Sequence, residues 1–162
     1  MELKRLDNDE RWNLFVDASP QGCLFNYTWY LRSLGLDYEI WIVERSGEIC
    51  AGTIVCKFNK AWTFGPFQKY MGVLYAEFEG NNYQRITNQR KAAALLAAKT
   101  TELPGYSYFF HPSFVDWLPF YRHGYSADTY YTYRINLNGM SPEDLLNLCA
   151  PRLRTKIRRA SS

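Results

Sequence analysis

Apolar residues change their spacing several times along this chain, and those changes divide it into helices and strands. Over residues 9–18, Trp12, Phe15 and Val16 recur at the spacing of one helical face, which predicts a short first helix. Ser19-Pro20-Gln21-Gly22 ends it, and Leu24 to Leu34 predicts a second helix with Gly35 just past its end. The period then shortens. Tyr38–Arg45 and Glu48–Phe58 are β-rich and joined by Ser46-Gly47, a two-residue hairpin. Thr63-Phe64 and Tyr70–Tyr75 predict further strand segments around Gly65-Pro66. Both faces of this sheet are largely apolar, so helices are expected on each side.

Asn81 or Asn82 is placed to cap a long helix from about 83 to 103, whose Ala92–Ala98 run has high helix propensity and packs closely. Pro104-Gly105 ends it. Tyr106–Phe110 reads as a buried strand, Phe114–His123 as a short helix or turn, and Tyr130–Leu137 as another strand. Ser141-Pro142-Glu143-Asp144 starts a helix, with proline in the first turn and acids at the positive dipole end. A basic helix follows over about 151–160. The order predicts an α+β fold, a mixed, mostly antiparallel sheet between helical layers. Residues 1–150 form one lobe, and 151–162 form a basic helical extension.

Composition changes the picture in two ways. At 162 residues and 47% hydrophobic, the chain can bury one sizeable core. Its 13 Tyr, 10 Phe and 5 Trp exceed what a core ordinarily needs, so some rings are expected to line a groove, although an aromatic-rich sheet core explains them too. The net charge of +3 conceals an asymmetry: Arg152, Arg154, Lys156, Arg158 and Arg159 account for five of the 19 basic residues, leaving 14 against all 16 acidic ones in residues 1–151. A nearly neutral body argues against a broad nucleic-acid face, so no DNA partner is expected. Cys23, Cys50, Cys56 and Cys149 lack paired spacing, and the histidines stand twelve residues apart elsewhere, so no metal site is expected. The cysteines read as reduced, small hydrophobes. There is no apolar leader and no run of about 18 apolar residues, so a cytoplasmic protein is expected.

The element order resembles the acetyltransferase (GNAT-like) fold, in which a splayed sheet opens a cleft beside the long helix. Ordinary members hold acetyl-CoA pyrophosphate on a glycine-rich loop at the N-terminus of that helix, where free amides and the dipole favour an anion. The matching segment here is Glu77-Phe78-Glu79-Gly80-Asn81-Asn82-Tyr83, with one glycine and two acids. It departs from the pattern, so acetyl-CoA, or any other cofactor, is not expected.

A more specific resemblance is carried by several short segments. They are Ser19–Phe25 with Trp29-Tyr30-Leu31, Phe67–Leu74 after Pro66, His111-Pro112, Asp116–Tyr121, Tyr131-Thr132-Tyr133, and Arg154, Ile157, Arg158 and Ala160. Together these resemble the first lobe of Fem-type aminoacyltransferases, which act on peptidoglycan precursors. The resemblance implies an acceptor groove for a sugar-peptide precursor and transfer of an amino acid from aminoacyl-tRNA to an amine. In that family much of the donor site belongs to a second lobe. The 162 residues are therefore expected to be inactive alone, with aminoacyl-tRNA as donor only when a second lobe is present.

The attacking amine must lose a proton, and Asp116 is the first candidate to accept it. Capping of the helix at Trp117-Leu118-Pro119 is the alternative role for that carboxylate. Lys69 and Tyr70, before the central strand, are candidates for a phosphate or peptide carboxylate of the acceptor; a solvated lysine and a packed tyrosine are the plainer reading. His111 either lines the cleft or is a structural donor. Trp117, Tyr131 and Tyr133 complete the candidate substrate-binding set, the two tyrosines sharing one strand face. Arg154 and Arg158 are candidates for tRNA or phosphate. The basic tail reads equally as a solvated helix or as a peripheral contact with an anionic membrane, and its Leu153 and Ile157 would be exposed. Two other readings stand beside the transferase lobe: a stand-alone acyl-CoA-dependent N-acyltransferase, and a non-catalytic module whose aromatic groove holds a glycan or peptide.

Overall fold

The computed structural model describes residues 1–65, 67–132 and 136–160. They form two compact units, Met1–Ser126 and Ala127–Ser162, each described by itself. Every buried residue among those described lies in the first unit.

Its centre is an antiparallel sheet. β1 (Glu2–Leu6), β2 (Asp37–Arg45) and β3 (Glu48–Phe58) lie side by side in that order. β4 (Ala61–Trp62) and β5 (Leu74–Tyr75) both pair with β3, and every described pair is antiparallel. The turn between β2 and β3 has Ser46 and Gly47 at φ 53° and 87°, the two left-handed positions of a type I′ hairpin. A register shift at Val43/Glu44 breaks the regular alternation near that turn.

Side chains alternate across the sheet and feed two cores. On one face, Ile40, Ile42 and Ile54 meet Trp12, Phe15 and Val16 of α1 (Asp9–Ala18) and Leu31 of α2 (Thr28–Ser33). On the other, Val43, Ala51 and Tyr75 meet Ala92, Ala93, Leu96 and Ala97 of α3 (Asn82–Thr100) and Phe120 of α4 (Leu118–Arg122). Helices on both faces are thus present, as the apolar strands require. The second unit contains α5 (Pro142–Leu148), capped by Ser141, and α6 (Pro151–Ala160).

Several expected elements are shorter or broken. The predicted helix over Leu24–Leu34 is a 3-10 turn at Leu24–Asn26 followed by α2, because Asn26 is spent on tertiary bonds. Its carbonyl accepts from Trp12 Nε1 at 2.7 Å, and its Nδ2 donates to the Tyr70 carbonyl at 3.3 Å. The strand expected at Tyr70–Tyr75 shrinks to β5, and the residues expected to pair at Thr63-Phe64 are replaced by β4. Tyr106–Phe110 carries no ladder pairing. Its rings rather than its amides fix it in place, as described below. The strand expected over Tyr130–Leu137 lies partly outside the described residues; Tyr130–Thr132 and Asn136–Leu137 are not in a ladder.

Candidate functional site

Three segments of the first unit converge: the turn after α1, the loop leading into β5, and the stretch between Tyr106 and α4. The floor is aromatic. Tyr108, Phe110, Phe114 and Tyr75 are stacked in sequence, with Phe110 and Phe114 centroids 4.0 Å apart and interplanar angles of 9°, 4° and 7° along the stack. Phe120 meets Tyr108, Phe110 and Phe114 edge-on. Tyr108 and Tyr125 donate hydrogen bonds to Thr100 Oγ1 at 2.9 and 2.8 Å. Burial pushes the Tyr75 and Tyr108 phenols well above their usual range, so both are neutral at any physiological pH.

Gly72 lets this floor close. A Cβ there would stand 2.8 Å from Phe110 Cδ1 and 3.1 Å from its Cα, so the backbone at Phe110 passes where a side chain would be. The loop before Gly72 is held from inside by Gln68, a buried residue whose Oε1 accepts from the Gly65 amide. Tyr30 Oη donates to the Phe67 carbonyl at 3.2 Å. These bonds hold Phe67 and Tyr70 at φ 61° and 54°, a conformation that bulky residues rarely adopt.

Tyr70 therefore turns onto Phe109 and His111, with ring centroids at 5.8 and 5.5 Å. Lys69 Nζ lies 4.9 Å from the Phe109 ring centroid, a cation–π approach. His111 Nδ1 stands 2.8 Å from Ser113 Oγ and accepts from the Ser113 amide at 3.2 Å. That bond assigns the proton of a neutral ring to Nε2. Three of the candidate residues are thus brought into one cluster, Lys69 and Tyr70 against Phe109 and His111 against Tyr70.

Beside the cluster lies a small cavity of about 60 Å³, lined by Gln21, Tyr75, Gln89, Arg90, Ser113 and Asp116, among others. Its volume matches roughly two waters. Gln21 bridges it, accepting from the Tyr75 amide at 3.0 Å and donating to Ser113 Oγ at 3.5 Å. Asp116 receives Arg90 Nε at 2.6 Å on Oδ2 and the Leu118 amide at 3.3 Å on Oδ1. The helix cap itself is Trp117, so Asp116 supports the first turn of α4 from one residue further out. Gln21, Arg90, Phe109 and Ser113 were not singled out from the sequence. Arg90 in particular looks like any solvated helix charge until α3 and the Asp116 loop meet.

Trp117 pairs with Tyr121, with centroids 5.6 Å apart. Tyr131, 93% exposed, and Arg154 and Arg158 belong to the second unit. Tyr133 lies outside the described residues.

The N-terminus of α3 is already occupied by its own side chains. Asn81 Oδ1 accepts from the Gln84 amide and Gln84 Oε1 from the Asn81 amide, both at 3.0 Å, a complete capping box. Glu48, Glu77 and Glu79 line the shallow groove beside it.

All four cysteines are free, and burial lifts the Cys56 thiol to about 12. Among the described residues no three His, Cys, Asp or Glu side chains gather as metal ligands, and no helix is long and apolar enough to cross a membrane. Compared with family models, curated proteins and solved structures, the chain gives no match.

Proposed function

We propose that this chain is the acceptor-binding lobe of a Fem-type aminoacyltransferase with a GNAT-like fold, taking a sugar-peptide precursor of peptidoglycan. The observation that carries the reading is the meeting of residues from segments that resemble the family: Gln21, Lys69-Tyr70, His111 and Asp116 surround one aromatic floor and one small polar cavity. Lys69 supplies the cation for a phosphate or carboxylate of the acceptor, and Tyr70 and His111 flank it. Asp116 is the acid in the cavity lining. Its Oδ2 is paired with Arg90 and its Oδ1 holds one long bond to an amide, and we assign Oδ1 to accept the proton of an amine seated there.

The α3 terminus supports an ester donor over an acyl-CoA. Two of the amides that would face a pyrophosphate are spent on the capping box, and the adjoining glutamates repel it. A thermal-shift titration with a soluble muropeptide tests the proposal. The melting point should rise saturably, and Lys69→Met and His111→Ala should each weaken binding about tenfold or more. Acetyl-CoA should give no shift. A flat muropeptide titration, or one that neither substitution alters, would sink the reading.

A further inference from the structure

The second unit presents an exposed surface of its own. No residue of α5 or α6 is buried, and Leu148, Leu153 and Ile157 are 65%, 48% and 40% exposed. Around the α6 axis, at about 100° per residue, Leu153, Ile157 and Ala160 fall within an arc of roughly 60°. Lys156, Arg152 and Arg159 lie on one side of that stripe and Arg154 and Arg158 on the other. α6 contains no acid.

We propose that α6 is an interfacial helix that lies on an anionic lipid bilayer. The stripe enters the boundary between headgroups and acyl chains, and the flanking cations reach lipid phosphates along their own aliphatic stems. The charge says what covers this face. A second protein surface would need a matching acidic wall, whereas a bilayer supplies anions on both sides of an apolar slot. An RNA would meet the cations but leaves Leu153 and Ile157 without a role. One short helix gives reversible, salt-sensitive binding rather than permanent anchoring.

Co-sedimentation of the whole 162-residue chain with phosphatidylcholine vesicles, with and without phosphatidylglycerol, tests this. Binding is expected to the anionic vesicles and to weaken as salt rises. Leu153→Ser with Ile157→Ser keeps every charge and should lower binding at least tenfold. Arg154→Gln with Arg158→Gln should lower it about 25-fold. Leu153, Ile157 and Arg158 are exposed and Arg154 is half-buried, and an unchanged far-ultraviolet circular dichroism spectrum certifies the fold in each variant. Absence of binding to anionic vesicles overturns the proposal. So does binding that survives loss of Leu153 and Ile157, which marks a simple polyanion site; a single-stranded RNA oligonucleotide bound equally by both forms identifies that case.

Discussion

Gly72 shows how one absent side chain sets the candidate site. A Cβ would stand 2.8 Å from Phe110 Cδ1 and 3.1 Å from its Cα, so Gly72→Ala must shift the Phe110 ring and crowd its backbone. Overpacking of this kind costs about 1–3 kcal/mol, and chemical denaturation should show a loss in that range. An unchanged midpoint would mean that the segment has room to move. In the sequence, a glycine before a strand announces a bulge or a close approach without naming the neighbour. Lys69, Tyr70 and His111 were legible as candidates, whereas the Phe109 ring on which Lys69 and Tyr70 meet was not. Arg90 and Asp116 stand 26 residues apart, and their pairing is a tertiary event that no local pattern announces.

Helices and strands with strong local signals were the legible ones. α1, the β2–β3 hairpin and the Ser141 cap follow the sequence pattern to within a residue or so. Elements set by distant partners were not legible: Asn26 breaks a periodic helix, and β1, a charged edge strand, lacks the alternation of a buried one. The alanine run of α3 is explained by contact. Ala92, Ala93 and Ala97 are fully buried where the helix approaches the sheet, so Ala97→Leu should cost about 1–3 kcal/mol by denaturant titration, despite its equal helix propensity.

Glu44 ties three elements together. Its carboxylate accepts hydrogen bonds from Lys4 of β1 and pairs with Arg11 of α1 at 2.7 Å. The hydrogen bond from Lys4 and the contacts with Arg11 outweigh burial and hold its carboxyl below the usual range. Because the folded value is depressed, the stabilisation is fully present above the unfolded value, about 4.3, and disappears as pH falls through the folded one. Glu44→Gln should therefore destabilise at neutral pH and converge with the parent protein in acid. A pH-independent difference between the two melting curves would contradict this.

The molecule as a whole divides its labour unevenly. Met1–Ser126 holds all the described burial and the convergent candidate residues, while the second unit holds exposed leucines and the cationic helix. The basic run at Arg152–Arg159 was visible in the sequence, and it begins well after the division at Ser126/Ala127. The aromatic excess was legible too, but its split between core and cleft floor depends on which rings stack, and that follows from the packing of Phe110 on Gly72. The two proposals are tested separately, the acceptor reading at the Met1–Ser126 cluster and the lipid reading at α6.

Titration of the isotope-labelled chain with a soluble muropeptide, followed by amide chemical shifts, tests the acceptor cleft most directly. Saturable shifts should cluster at Gln21, Lys69, Tyr70, Tyr75 and residues 111–116, and Lys69→Met should move their midpoint to about tenfold or more higher ligand concentration. Saturable shifts confined to residues 77–84 at the α3 terminus, or none at any concentration, would contradict the assignment of this cleft as the acceptor site.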